Sequence, residues 1–101
     1  MPKYDFLISI KAKEDLQRIW EYTFENWSEN QADDYYLSIV NKIEQICDHP
    51  FSGIDCDFIR AGYRKAWIKS HVIFYRLASN HTIEIIRILH QKQDVNPDLF
   101  L

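Results

Sequence analysis

"YRKAWIKSHVIFYRLASNHTIEIIRIL", residues 63–89, is the stretch on which the fold turns. It is dominated by β-branched and aromatic residues. Two short polar gaps, "KS" at 69–70 and "SNH" at 79–81, divide it into three runs. Apolar runs of this kind, joined by hairpin-sized gaps, read as an antiparallel meander of three strands. Side chains alternate between the two faces of a strand. Val72 and Phe74 are therefore expected on one face, with Ile73, Tyr75 and Leu77 on the other. In the last strand Ile83, Ile85 and Leu89 are expected to oppose Ile86 and Ile88. Strands that are apolar on both faces are covered on both, or leave one face for a partner.

Upstream, the apolar period lengthens. Ala12, Leu16, Ile19, Trp20, Thr23, Phe24 and Trp27 recur at helical spacing, so one helix face is expected to be buried. Ser9 is placed to cap that helix. Ser28 and Gln31 have the spacing of a capping box and restart a second helix. Its stripe is Ala32, Tyr35, Tyr36, Ile39, Val40, Ile43, Ile46 and Cys47, and it ends before Pro50, because a residue ahead of proline disfavours helical angles. "HPFSGIDCDFIRAG", 49–62, reads as a loop, and "YDFLISI" predicts a first strand over about residues 3–9. The order is β-α-α-β-β-β, an α+β domain with a helical hairpin packed on an antiparallel sheet. One such hairpin covers one face, which leaves the second face as a candidate binding surface.

The 101 residues fit one domain, 1–101, with no repeat or low-complexity segment. The apolar runs are too short to span a membrane, and the N-terminus lacks the order of a signal peptide, so a cytoplasmic location is expected. Cys47 and Cys56 are expected to stay reduced, and no clustered Cys/His spacing points to a metal. Net charge is -3, but it is split. Residues 1–59 carry five bases against twelve acids, and residues 60–92 carry seven bases against one acid. The basic half either neutralises the acidic half across a packed interface or serves an acidic partner.

"IRAGYRKAWIKSHVIFYRLA" followed by "IEIIRILHQKQDVNPDL" resembles the ParE branch of the RelE/ParE toxins, the toxin halves of bacterial type II toxin–antitoxin modules. "ISIKAKEDLQRIWEYTFENWSENQADDYY" and "HPFSG" extend the resemblance over nearly the whole chain. Two positions depart from the family pattern. Ile10 stands where proline often follows the capping serine, and Gln93 stands where methionine is common. The resemblance implies a cognate antitoxin that neutralises the toxin. It also implies DNA gyrase as the poisoned target, and the plasmid stabilisation and growth arrest typical of such modules.

The residues expected to meet the target or the antitoxin are Arg60, Arg64, Lys65, Trp67, Arg76, Arg87 and His90. Residues from Gln91 onward read as a flexible tail that adds shape. The reading favoured is inhibition by binding, with no cofactor, no metal and no sequence-specific contact to nucleic acid. RNA cleavage of the RelE type, on the ribosome, is the enzymatic alternative. It needs a proton acceptor, a proton donor and positive charge at the phosphate. Arg64, Arg76, Arg87 and His90 are its candidates, although Arg87 and His90, three apart, face opposite sides of a regular strand. A non-toxic module that only binds an antitoxin is a third class. Trp20, Trp27 and Trp67 read as core or antitoxin contacts, His49 as a helix cap, and His71 and His81 as solvated turn residues. Arg64 and Arg76 have a structural alternative, pairing with acids of the helices.

Overall fold

The computed structural model describes residues 3–101. Strand β1, Asp5–Ile8, leads into helix α1, Ile10–Asn26, and helix α2, Glu29–Asp48. β2, Ile54–Asp55, β3, Tyr63–Ile68, β4, His71–Ser79, and β5, Thr82–His90, follow, and a short 3-10 helix, Pro97–Phe100, ends the chain. The expected β-α-α-β-β-β order stands. β2 is an addition inside the segment read as a loop. It pairs Ile54 with Lys65 and Asp55 with Arg64, and two residues are too few to show a period.

The sheet order is β1-β5-β4-β3-β2. β1 runs parallel to β5 at one edge, and the other pairs are antiparallel. β1 is shorter than the sequence suggests because both of its neighbours are diverted. The Tyr4 N–H goes to the Cys47 carbonyl of α2, and Ser9 turns into α1. Ser9 Oγ accepts from the Ala12 N–H at 3.0 Å and donates to the Ile86 carbonyl at 2.8 Å. The helix cap thus also fastens α1 to β5. Ser28 Oγ accepts from the Gln31 N–H at 3.1 Å, the Ser28 half of the expected capping box. His49 closes α2 through its backbone N–H, bonded to the Gln45 and Ile46 carbonyls, and not through the imidazole.

A β-bulge corrects the face assignment. Phe74 pairs with Arg87, but Tyr75 pairs with Ile85, so Ile86 is the extra residue on β5. An extra residue in one strand breaks strict alternation. Ile83, Ile85 and Ile88 share the helix side with Ile73 and Tyr75, against Leu16, Ile39, Ile43, Ile46 and Cys47. Ile86 and Leu89 lie on the far side with Val72 and Phe74. Leu89 and Ile88 have exchanged places relative to uninterrupted alternation.

The far face is not left open, which corrects a second expectation. Cys56 and Tyr63 cover part of it, and the C-terminal 3-10 helix covers more. Phe100 is buried, its ring edge-on to Phe74 at 5.0 Å and to Tyr63 at 5.9 Å. Asn96 Oδ1 caps that helix by accepting from the Asp98 N–H at 2.9 Å, and Arg87 Nη1 donates to the Leu99 carbonyl at 2.7 Å. Burying this phenylalanine contributes about 1.5–3 kcal/mol, and the Asn96 cap and the Arg87–Leu99 bond add to what holds the segment on the sheet. The segment from Gln91 onward therefore ends as a cover, not as a free tail.

A third correction concerns the helix stripes. Phe24, Trp27 and Tyr36 are exposed. The fully buried residues of α1 are Ala12, Asp15 and Leu16, all in its first two turns. Past Leu16, Ile19 packs partly buried against the core, while Tyr22, Phe24 and Trp27 stay exposed. Trp20 stacks on Phe24, and its Nε1 donates to Asp33 Oδ1 at 2.9 Å.

Candidate functional site

The basic residues are held in three different ways. β3 alternates as expected, with Ala66 and Ile68 against the helix-side core and Tyr63 in the far-side core. Arg64 Nη1 donates to the carbonyls of Phe51 and Gly53, at 3.2 and 2.8 Å, and its guanidinium stands 5.3 Å from the centre of the exposed Phe51 ring. Lys65 Nζ lies 5.0 Å from the centre of the Trp67 ring, and Trp67 is well exposed. Both are cation–π contacts. Arg60 is exposed in the loop before β3. With Arg76 and Lys11 it borders a cleft beside β1. Arg76 Nε donates to Glu84 Oε1 at 2.8 Å, across a register pair of β4 and β5. The acid that holds Arg76 is thus on the neighbouring strand, and Arg64 is held by carbonyls, so neither pairs with an acid of the helices.

Arg87 is committed inward. Its Nε and Nη2 each donate to Asp15 at 2.8 Å, and Asp15 Oδ2 also accepts the Ile88 N–H at 3.0 Å. β1 has ended by this point, so the carboxylate satisfies the edge of β5 where no strand remains to do so. Arg18 adds a further bond to Asp15 Oδ1 at 3.1 Å. Burial pushes the Asp15 carboxyl up, but the Arg87 and Ile88 donors outweigh it and hold the group below the usual carboxylate range. Hydrogen bonding to Asp15 in turn raises Arg87. Arg87 therefore offers no free charge to a partner.

His71, read as a solvated turn residue, is half-buried. The Ser70 N–H donates to Tyr35 Oη at 3.2 Å, and Tyr35 Oη lies 2.7 Å from His71 Nδ1. The tyrosine hydroxyl thus joins the Ser70 backbone to the His71 ring. Burial first, then the neighbouring His90, lowers the His71 pKa to about 4. The His90 ring stands edge-on to His71, centres 5.2 Å apart, and His90 Nδ1 accepts from the Lys92 N–H at 3.1 Å. Lys69, in the left-handed region at φ 53, places Nζ 5.3 Å from the centre of the Tyr35 ring.

These residues border a groove of about 840 Å³ between the helical hairpin, the β3–β4 turn and the end of β5. Arg87 and His90 both border it, while Arg64 and Arg76 lie elsewhere. The four residues considered for RNA cleavage are thus not gathered at one point. Asp15, Arg18, Tyr35 and Lys69 are not among the site residues expected from the sequence, and His71 is expected only as a turn residue. Asp15 carries the one visible signal, an acid inside the apolar stripe one residue before Leu16. Trp20, Trp27 and Trp67 all lie outside the buried core. Among the described residues no group of three or more His, Cys, Asp or Glu side chains could hold a metal, and no helix is long and apolar enough to cross a membrane. Cys47 and Cys56 are buried and unbridged.

Known proteins share both sequence and fold with this chain. The family described as "ParE toxin of type II toxin-antitoxin system, parDE" matches residues 6–95. Toxin ParE1 of Mycobacterium tuberculosis is 38% identical over 94 residues, 93% of this chain and 96% of that protein. Toxin ParE1 of Caulobacter vibrioides is 40% identical over the same shares. Among solved structures, a chain of the chromosomal ParDE toxin–antitoxin system from P. aeruginosa superposes with a TM-score of 0.74 at 18% identity, covering 87% of this chain and 96% of its own. A chain of the toxin–antitoxin complex RelBE2 from M. tuberculosis gives 0.62 at 17% identity, covering 88% and 99%. The family match spans most of the chain and the fold agrees with it: this chain belongs to the ParE toxins of type II toxin–antitoxin systems.

Proposed function

We propose that this single-domain toxin, residues 1–101, acts in the cytoplasm by binding DNA gyrase so that cleaved DNA persists, and that a cognate antitoxin neutralises it. The observation that carries the site is the pair of accessible cation–aromatic contacts beside the sheet edge, Arg64 over Phe51 and Lys65 over Trp67. An aromatic body beside a guanidinium or ammonium suits a protein interface, where such residues concentrate binding energy. Lys65 and Trp67 share the far side of the sheet with the partly exposed Arg76, Arg64 and Phe51 lie on the helix side of the same edge, Arg60 is exposed in the loop before β3, and His90 lies at the far end of β5. Arg87 contributes by holding α1, β5 and the C-terminal helix together. Binding is favoured over RNA cleavage because Arg76 and Arg87 are engaged by Glu84 and Asp15, and Arg64 lies away from both.

The test is a paired assay on purified, antitoxin-free protein. One arm holds gyrase and supercoiled plasmid, the other ribosomes and mRNA. Trapped cleaved plasmid with intact mRNA is the expected result. Codon-phased cuts with normal supercoiling would replace this reading by the ribosome-dependent nuclease. Inactivity in both arms, with no growth arrest on expression without antitoxin, would leave a module that only binds its antitoxin.

A further inference from the structure

We propose that the groove between the helical hairpin and the β3–β4 turn binds a nucleotide, with its phosphate between Arg18 and Lys69 and its base against Tyr22 and Trp27. This site is separate from the basic surface of β3, and its test does not involve gyrase.

Four observations support it. The groove is open, and about 840 Å³ suits a ligand of nucleotide size. Its aromatic wall is bare: Tyr22 and Trp27 stand edge to face, ring centres 6.0 Å apart, and are 61% and 62% exposed. A flat apolar base can cover such rings without demanding a particular hydrogen-bond pattern.

The second observation is charge. In a chain of net charge -3, Arg18 and Lys69 both border this groove. Asp15 also borders it, but its charge is answered by Arg87, and Arg18 gives it one bond while its side chain stays 64% exposed. The remaining guanidinium donors of Arg18 are left for an anion, and the Lys69 ammonium, over the Tyr35 ring, keeps its own hydrogen-bond donors. Guanidinium and ammonium groups are the usual phosphate partners.

The third is the histidine pair. His71 borders the groove and its Nδ1 is hydrogen-bonded to Tyr35. Its lowered pKa keeps the ring neutral near pH 7, so it adds a polar ring without a further charge. His90 lies against it and is exposed.

The fourth separates a nucleotide from an acidic peptide. Asp34 and Gln31 border the same groove. Asp34 repels a carboxylate and a phosphate alike, so what favours a nucleotide is the donors it carries besides its anion. Ribose hydroxyls and exocyclic amines are donors, and both side chains can accept from them.

The experiment titrates the full chain with adenosine 5′-monophosphate, adenosine and inorganic phosphate separately, by isothermal calorimetry and by quenching of tryptophan emission. Saturable binding of the monophosphate is expected, with adenosine and phosphate each at least about tenfold weaker, a difference of about 1.4 kcal/mol. Arg18→Gln, Lys69→Asn and Trp27→Leu should each weaken the monophosphate by about five- to twentyfold, in keeping with one lost charge-assisted bond or stacking contact. Asparagine at 69 tolerates the left-handed backbone, so that variant keeps the turn. Lys13→Gln removes one charge from the exposed outer side of α1 and should leave binding unchanged. No saturable binding by the monophosphate would overturn the proposal. So would binding that Arg18→Gln and Lys69→Asn leave intact, or that Lys13→Gln weakens equally.

Discussion

Asp15 and Arg87, 72 residues apart in sequence, meet through two parallel hydrogen bonds of 2.8 Å, and the same carboxylate accepts the Ile88 N–H. One side chain of α1 thereby completes the edge of β5 and orients the arginine that holds the C-terminal helix through the Leu99 carbonyl.

Asp15→Ala should cost about 3–5 kcal/mol, because it leaves a largely buried guanidinium and a backbone N–H without their acceptor. Urea unfolding followed by circular dichroism should show a lower midpoint at unchanged slope. The double variant Asp15→Leu with Arg87→Met should recover part of the loss, since an apolar pair leaves no uncompensated charge. If the double variant were less stable than Asp15→Ala alone, this account of the network would be wrong.

His71 makes stability depend on pH. In the unfolded chain it takes a proton near 6.5, and in the folded chain not until about 4. Between those values the unfolded state binds more protons, so acidification destabilises the fold. Below about 4 both states are protonated and the loss stops growing. The full shift corresponds to about 3.4 kcal/mol, and solvent screening of the half-buried ring brings the expected effect below that. Unfolding midpoints at pH 7, 6 and 5 should fall steadily, and His71→Gln should flatten that fall. An equally steep fall in the variant would assign the dependence to other groups.

Gly53 is required where it stands. Its N–H donates to Tyr75 Oη at 2.9 Å, and that hydroxyl donates to the Pro50 carbonyl at 3.0 Å. A Cβ at residue 53 would sit 2.3 Å from Tyr75 Oη and 2.9 Å from the Lys65 carbonyl. Gly53→Ala must displace one of them, and a cost of about 1–3 kcal/mol is expected. Tyr75→Phe keeps the shape but leaves the Gly53 N–H unpaired, for about 1–3 kcal/mol. Hydrogen exchange should localise the loss in Tyr75→Phe to the Gly53 amide. Unchanged protection there would refute the assignment.

Charge reversal at Lys65 should act on encounter more than on fold, whereas Arg64→Glu also sets a carboxylate against the Phe51 and Gly53 carbonyls. Both side chains are only partly buried, so Lys65→Glu should change stability by less than about 0.5 kcal/mol. Association with the antitoxin should slow by about tenfold or more at low salt and lose most of that difference at high salt. Stopped-flow rates across a salt series decide it. A rate that ignores both salt and the substitutions would remove charge from the recognition argument.

How far the residues announced this structure depends on range. The three long strands and both helices were legible because each carries enough residues to show a period. β2 was not, because Ile54–Asp55 gives no period to see. The bulge at Ile86 was hidden because five of the residues from 83 to 89 are apolar on any alternation, so a shift of one leaves the pattern looking the same. The covering of the far face was missed because Phe100 was read with a polar tail, and its neighbours Tyr63 and Phe74 lie far away in sequence. The candidate site was legible only in part. Arg64, Lys65 and Trp67 were visible as a basic, aromatic run. The Tyr35–His71 bond and the Asp15–Arg87 pair join distant segments, which no local spacing reports.

The parallel pairing of β1 with β5 carries a consequence for how the chain folds. Asp5 lies opposite Thr82, so docking β1 closes a loop of 77 residues. The entropic cost of such a closure is about 4 kcal/mol before any contact is gained. The helical hairpin and the β3–β5 meander form from near neighbours and carry no such cost. The first strand in sequence is then the last to be placed, and Ser9, bonded both to α1 and to β5, seals it. Weakening β1, as in Phe6→Leu, should speed unfolding and leave the refolding rate nearly unchanged. A chevron in which the refolding limb moves instead would put β1 in the nucleus.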